Sequence, residues 1–227
     1  MGEGKGELVQ RLTRVDLEPL RAARGEYLRA AEALKKRGFE ARYCETVTEA
    51  AEAVLGLVPA GARVGVGGSL TIRELGVLET LGERGHEVIH LWYPNLSREE
   101  NVRLRREELT SDVFLTSANA VTLKGQLVNV DGVGNRVGAM AFGPARTVVV
   151  AGANKVVRDV DEGLERIKRV AAPLNCIRYA AKTPCAVTGV CTDCDSPDRI
   201  CVVYSIIDRR PMLSDVAVIM VGEELGY

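Results

Sequence analysis

Between residues 39 and 171, short apolar runs alternate with helical stretches, and this alternation constrains the fold more than any single motif. Strand-like runs lie at 39–44, 63–67, 87–92, 112–116 and 146–152. The last holds Val148, Val149 and Val150 in succession, the pattern of a strand buried on both faces. Helix-start signals separate the runs. Thr46 with Glu49, Thr71 with Glu74, Ser97 with Glu100 and Asp159 with Glu162 each place a capping side chain three residues before a glutamate. They open expected helices over 50–58, from the glycine turn through 81, over 97–109 and over 159–171. Strands alternating with helices of this length require crossover connections, hence a mainly parallel sheet with helices on both sides. The expected fold class is α/β, a three-layer sandwich. Residues 118–131 depart from the pattern, being strand-like on both sides of Lys124-Gly125, and read as a hairpin leaning off the sheet.

Ahead of the alternation, residues 21–37 have helical spacing (Ala23, Tyr27, Ala30, Ala31, Leu34) and stop at Gly38. Pro19 either breaks an earlier helix or sits in the first turn of this one. Residues 1–20 are read as an N-terminal helical extension with a frayed end at 1–6. Residues 21–227 are read as a single domain that includes a cysteine-rich C-terminal loop at 183–201. Aromatic residues make up 4% of the 227, so the core has to be aliphatic. The 30 basic and 31 acidic side chains leave a net charge of −1. That balance argues against an electrostatic nucleic-acid surface. No apolar stretch reaches the ~18 residues of a spanning helix. The charged start lacks the apolar region of a signal peptide. A cytoplasmic location follows as an expectation, and there thiols stay reduced.

Three segments carry candidate chemistry. The first is Val64-Gly65-Val66-Gly67-Gly68-Ser69-Leu70-Thr71, where a strand meets a helix. Such a turn offers an anion backbone N–H groups and the positive end of a helix. Gly67 and Gly68 allow close approach, and Ser69 and Thr71 donate. It is neither a Walker A loop nor the dinucleotide glycine motif, and a plain tight turn capped by Ser69 also fits. The second segment is Asp131-Gly132-Val133-Gly134-Asn135-Arg136, joined to apolar strands. Asp131 is a candidate acid or base, Asn135 a hydrogen-bonding partner for substrate, and Arg136 a partner for carboxylate or phosphate. A hairpin tip followed by a helix cap also accounts for it.

The third is Cys185-x5-Cys191-x2-Cys194-x6-Cys201, four of the six cysteines within 17 residues. A loop rich in Gly, Pro, Ser and Asp gains little from packing. Four thiolates are the right number for tetrahedral zinc or one [4Fe–4S] cluster, and chance clustering or redox-active thiols also account for them. Cys44 and Cys176 read as buried small hydrophobes, with Cys176 near enough in sequence to approach the cluster. His86 and His90, the two histidines, read as structural. Trp92 and Tyr93 end their strand before Pro94 and are candidates to line a pocket. The charged run 98–108 reads as a solvated helix face.

Taken in this order, these segments resemble the LUD domain family of lactate-utilization proteins over roughly residues 10 to 225. The residues that carry the likeness are Gly67 through Thr71, Thr116 through Ala120, Gly125 through Val137, Phe142-Gly143-Pro144, Asn154-Lys155 and Ala172-Pro173-Leu174-Asn175. The resemblance implies a fold of the sugar-phosphate isomerase and CoA-transferase type. The glycine turn looks like the phosphate loop of ribose-5-phosphate isomerases. The run from Gly125 to Gly138 looks like the ligand segment of methylthioribose-phosphate isomerase relatives. It also implies ligand contacts from Asn119 and Lys155. The family's redox associations put [4Fe–4S] ahead of zinc. Longer members carry two C-x2-C-x2-C-x3-C-P units, which this chain lacks.

Three functions remain open at this point. One is a component of a cytoplasmic system that oxidises lactate or a related small hydroxy acid. It binds a small carboxylate or phosphate, carries one metal centre and associates with further subunits or with itself. Another is an isomerase-, transferase- or ligase-like enzyme on a phosphorylated or CoA-linked substrate, with Asp131 as acid/base and a structural zinc. The third is a non-enzymatic, metal-dependent regulatory or assembly subunit. No partnership with nucleic acid and no membrane insertion is expected.

Overall fold

A computed structural model describes residues 17–227, with side chains from Arg24 onward. The expected frayed segment 1–6 lies outside the described residues, as does the extension up to 16. The chain runs α1 (Leu17–Lys36), β1 (Glu40–Cys44), α2 (Val47–Gly56), β2 (Arg63–Val66), α3 (Leu70–Leu75), α4 (Val77–Glu83), β3 (Glu87–Ile89), α5 (Arg98–Glu108), β4 (Val113–Thr116), β5 (Ala120–Thr122) and β6 (Leu127–Asp131). It continues through α6 (Asn135–Ala141), β7 (Arg146–Gly152), β8 (Val156–Val157), α7 (Val160–Arg166), α8 (Ala172–Arg178), α9 (Pro184–Thr188), β9 (Val203–Ile207) and β10 (Asp215–Val221).

Six strands form an all-parallel sheet in the order β1-β10-β7-β4-β2-β3. Alternate residues of its central strands feed two cores, as the two-residue period of a strand demands. Val148, Val150, Ala217 and Ile219 face Ala50, Val54, Ile72 and Leu81 of α2, α3 and α4. Val149, Ala151, Val218 and Met220 face Ala30 and Leu34 of α1, Met140 of α6, and Val121 and Leu127. Each buried Val, Leu, Ile or Met among them contributes roughly 1.5–3 kcal/mol. The three-layer α/β arrangement with a parallel sheet is therefore present.

The hairpin leaves this sheet, as its sequence indicated. β5 and β6 pair antiparallel and, with β8 and β9, build a second sheet ordered β8-β5-β6-β9. Its turn presses on α1. Gly125 has φ +78°, and a Cβ there would stand 2.5 Å from the Ala33 carbonyl carbon, so only glycine lets the hairpin lie against the helix.

Several boundaries differ from the sequence reading. The stretch through 81 is two helices, because Gly76 at φ 72° caps the first, and Ser69 rather than Thr71 is the N-cap. The 159–171 helix passes at Arg166 into a π turn, Ile167–Ala171. Only Ser97 and Glu100 form a reciprocal capping box. Glu49 and Glu162 instead reach the backbone N–H groups of Glu45 and Arg158, one residue before their caps. The cysteine segment opens with the short helix α9 before turning irregular. Strands β9 and β10 are absent from the sequence reading, although 216–221 is a continuous apolar run. Among the described residues no helix is long and apolar enough to cross a membrane.

Candidate functional site

Parallel strands expose their next residues at their carboxyl ends, where open α/β sheets place ligands. Here β2 runs into Gly67-Gly68-Ser69, β4 into Ser117-Ala118-Asn119, and β7 into the 3-10 turn Ala153-Asn154-Lys155. Together with the end of β6 they border one cleft of about 470 Å³. Gly68, Ser69, Thr71, Asn119, Asp131, Asn135, Arg136 and Lys155 all line it. Gly67 does not. It is buried, and a Cβ there would meet the Phe114 ring at 3.0 Å, so its lack of a side chain makes room for the core.

The hydrogen bonds divide these residues by role. Arg136 is spent inside the protein. Its Nε donates to Asp131 Oδ1 (2.8 Å), one terminal nitrogen to Ser117 O and Asn129 Oδ1, and the other to Asn119 Oδ1 and Val130 O. All five of its N–H groups are thereby matched. Asp131 also accepts from Val137 N through Oδ2 (2.9 Å), so both its oxygens are engaged. The pair ties the end of β6 to the first turn of α6 and to the loop after β4. Asn119 Oδ1 is occupied by Val130 N and Arg136.

Behind Asn135 stands a group that sequence reading missed. Asn135 Nδ2 donates to Glu108 Oε2 (2.9 Å), while its Oδ1 accepts from Arg105 (2.8 Å). Glu108 is fully buried, and its other oxygen has no partner. Burial pushes its carboxyl up to about 7, against the lowering pull of the Asn135 hydrogen bond and the Arg105 charge. In the sequence Glu108 is one charge in a run of charges, and only its place on the buried face of α5 sets it apart.

On the opposite wall, the hydroxyl of Thr71 faces inward and accepts from Lys155 Nζ (2.6 Å). Ser69 Oγ caps α3 by accepting from Ile72 N. Arg178, also missed in the sequence, reaches across from α8 to Gly68 O (3.2 Å), Asn175 Oδ1 and the Tyr179 hydroxyl, all through one terminal nitrogen. Its Nε is buried with no partner. Tyr227, Trp92 and Asn175 complete the rim. His86 and His90 lie away from the lining: His86 Nδ1 meets Ala62 O, and His90 stacks on Tyr93.

The thiols gather at a second, smaller void of about 20 Å³. It is lined by Cys185, Cys191, Cys194 and Cys201 and also by Cys176 of α8. Cys176 is buried, as its sequence context indicated, but on the wall of this void. Among the described residues, no three His, Cys, Asp or Glu side chains are grouped closely enough to hold a single metal ion. The thiols ring a space instead of converging on a point. Burial and the neighbouring sulfurs raise the Cys201 thiol to about 11.

A family model described as the LUD domain matches residues 27–221. The chain belongs to the LUD domain family. That family is associated with lactate utilization. A crystal structure of a DUF162 family protein from Deinococcus radiodurans is similar at 17% identity and a TM-score of 0.49, covering 88% of this chain and 98% of that one. Among curated proteins none matches. In this LUD domain the cleft and the thiol-lined void share two wall residues, Ala172 and Ile200.

Proposed function

We propose that this LUD domain serves a lactate-utilization system by binding a small carboxylate in the cleft and carrying a metal centre among its thiols. The observation that carries the reading is Arg178. Its three protein contacts all use one terminal nitrogen, which leaves the other, at the rim of a cleft floored by a glycine turn, for a ligand. A carboxylate is the planar acceptor that suits a guanidinium. Phosphate is the competing anion. Arg136, with all its donors matched, serves in this reading as the brace that shapes the cleft. Acid–base catalysis led by Asp131, as in an isomerase or transferase, has less support because both its oxygens are engaged.

For the centre, Cys185, Cys191, Cys194 and Cys201 are the ligands proposed. Zinc with bonds of 2.3 Å draws four sulfurs to within about 4 Å of one another. A cluster with four irons between its sulfurs holds them wider apart. Four thiolates suit either centre, and the family's association with redox systems puts [4Fe–4S] ahead of zinc. When bound, such a cluster supplies one-electron transfer.

The test is ligand-induced thermal stabilisation of anaerobically purified protein by L-lactate, pyruvate and inorganic phosphate, in the parent and in Arg178→Met. Stabilisation by the carboxylates that falls about tenfold in affinity in the variant is expected, the scale of one lost charge-assisted hydrogen bond. Preference for phosphate, or an unchanged affinity in Arg178→Met, refutes the carboxylate reading.

A further inference from the structure

Lys155 has the unusual environment in this cleft. Its side chain is buried (1% exposed), yet it forms part of the cleft wall. Among the described residues it has no carboxylate within ion-pair distance. The partners of Nζ are two hydroxyls, Thr71 Oγ1 at 2.6 Å and Ser117 Oγ at 2.9 Å.

Those hydroxyls point their own protons elsewhere. Thr71 Oγ1 donates to Leu225 O (3.4 Å) and Ser117 Oγ to Ala118 O (3.2 Å). Each therefore meets the lysine as an acceptor. A neutral amine has two N–H groups for these two acceptors, and its remaining valence is a lone pair. An ammonium has three N–H groups and leaves one unmatched. The surrounding charges act in the same direction. Burial comes first, then the guanidiniums of Arg166 and Arg136, and they push the amine down to about 7 against the weaker opposite pull of Glu74. A desolvated lysine among cationic groups is the setting in which the amine becomes a nucleophile towards carbonyl carbon.

We infer that Lys155 is a catalytic nucleophile that captures a 2-oxo acid in the cleft as an imine, its carboxylate held by Arg178. The inference rests on the carboxylate reading given above and adds the substrate class and the attacking atom. The lone pair of Nζ forms the N–C bond and the carbonyl oxygen takes up a proton. The second amine proton and that oxygen then leave together as one water molecule. No electron is gained or lost and no co-reactant is needed. The imine nitrogen then accepts a hydrogen bond from Thr71 or Ser117, since either hydroxyl can turn from acceptor to donor. An anion-binding lysine, by contrast, makes no covalent bond, and the two roles separate experimentally.

The experiment uses the full chain, pyruvate and sodium borohydride, followed by peptide mapping. The expected result is an adduct on the peptide containing Lys155, heavier by the mass of the acid less one oxygen atom. L-Lactate has the carboxylate but no carbonyl. It is expected to yield no adduct and, in excess, to protect Lys155 from pyruvate, a measurement that needs no variant. Lys155→Met, checked for folding by urea unfolding, is expected to lose the adduct while pyruvate still raises its melting temperature. Stabilisation by pyruvate without an adduct at Lys155, or adducts spread over surface lysines and unprotected by lactate, overturns the inference and leaves the carboxylate cleft standing. Neither stabilisation nor adduct overturns both.

Discussion

Replacing Glu108 by Gln tests the buried carboxyl beneath Asn135, and the structure fixes both the sign and the size of the effect. Glu108 has one oxygen bonded to Asn135 and one with no partner. Burial raises its pKa from 4.5 to about 7. A group with a raised native pKa holds its proton longer in the folded state than in the unfolded chain. Its contribution is fully present below pH 4.5 and is lost as pH rises through 7. Moving a carboxyl pKa from 4.5 to about 7 corresponds to about 3 kcal/mol. Glutamine keeps the shape and an oxygen for Asn135 and never ionises. Glu108→Gln is expected to change stability little at pH 5 and to raise it by up to about 3 kcal/mol at pH 8.5. Lys155 has a slope of its own. Its pKa is lowered to about 7, so the native state holds fewer protons than the unfolded chain above that pH, and stability rises towards pH 10. It does so in both proteins and cancels in the difference. Urea unfolding of parent and variant across this range reads the effect directly. A difference in stability that does not change with pH, or a variant weaker than the parent at pH 8.5, refutes the reasoning.

Two further outcomes follow from the cleft and the thiols. Arg136→Met leaves the partly buried Asp131 carboxylate without its cation and is expected to cost up to about 3–5 kcal/mol in urea unfolding, of which Asp131→Asn in the same chain should recover a part. Loss below 1 kcal/mol contradicts the bracing role. Cys191→Ser with Cys194→Ser is expected to remove most iron and the broad visible absorption from anaerobically purified protein. Its far-ultraviolet circular dichroism should match the parent, since the sheet takes no support from those thiols. Iron content that survives both changes contradicts the proposed ligand set.

The sequence revealed the architecture where local and global signals agree. Val148, Val149 and Val150 have no polar alternation because each face of their strand meets a separate core, and Ser97 with Glu100 announce a helix because both partners are local. It was less informative where the partner is distant. Thr71 looks like a free donor beside the glycine turn, but its hydroxyl is taken by Lys155, 84 residues away. Arg136 looks like an anion hook until its acceptors are known, and four of them are carbonyl or amide oxygens of residues 117, 119, 129 and 130. Arg178 and Glu108 carry no motif at all. What distinguishes them is a buried atom without a partner, a property of packing that spacing along the chain does not encode. The 71–81 stretch shows the converse, since Gly76 signals the break and the apolar periodicity on either side conceals it.

The order of the parallel sheet has a consequence for how this chain acquires its structure. Strand β10 lies between β1 and β7 and pairs with both, yet it is the strand furthest along the sequence. While the chain is being synthesised, the ribosome therefore releases the single strand β1 and the four-stranded block β7-β4-β2-β3 with a gap between them. β1 and β7 each present a row of unpaired backbone donors and acceptors, the kind of edge on which chains aggregate. Closing the gap joins residues 177 positions apart, since Glu40 pairs with Ala217, so the entropy of a long loop is lost before the sheet is rewarded. Slow, late consolidation and a need for protection during synthesis are what this topology brings with it.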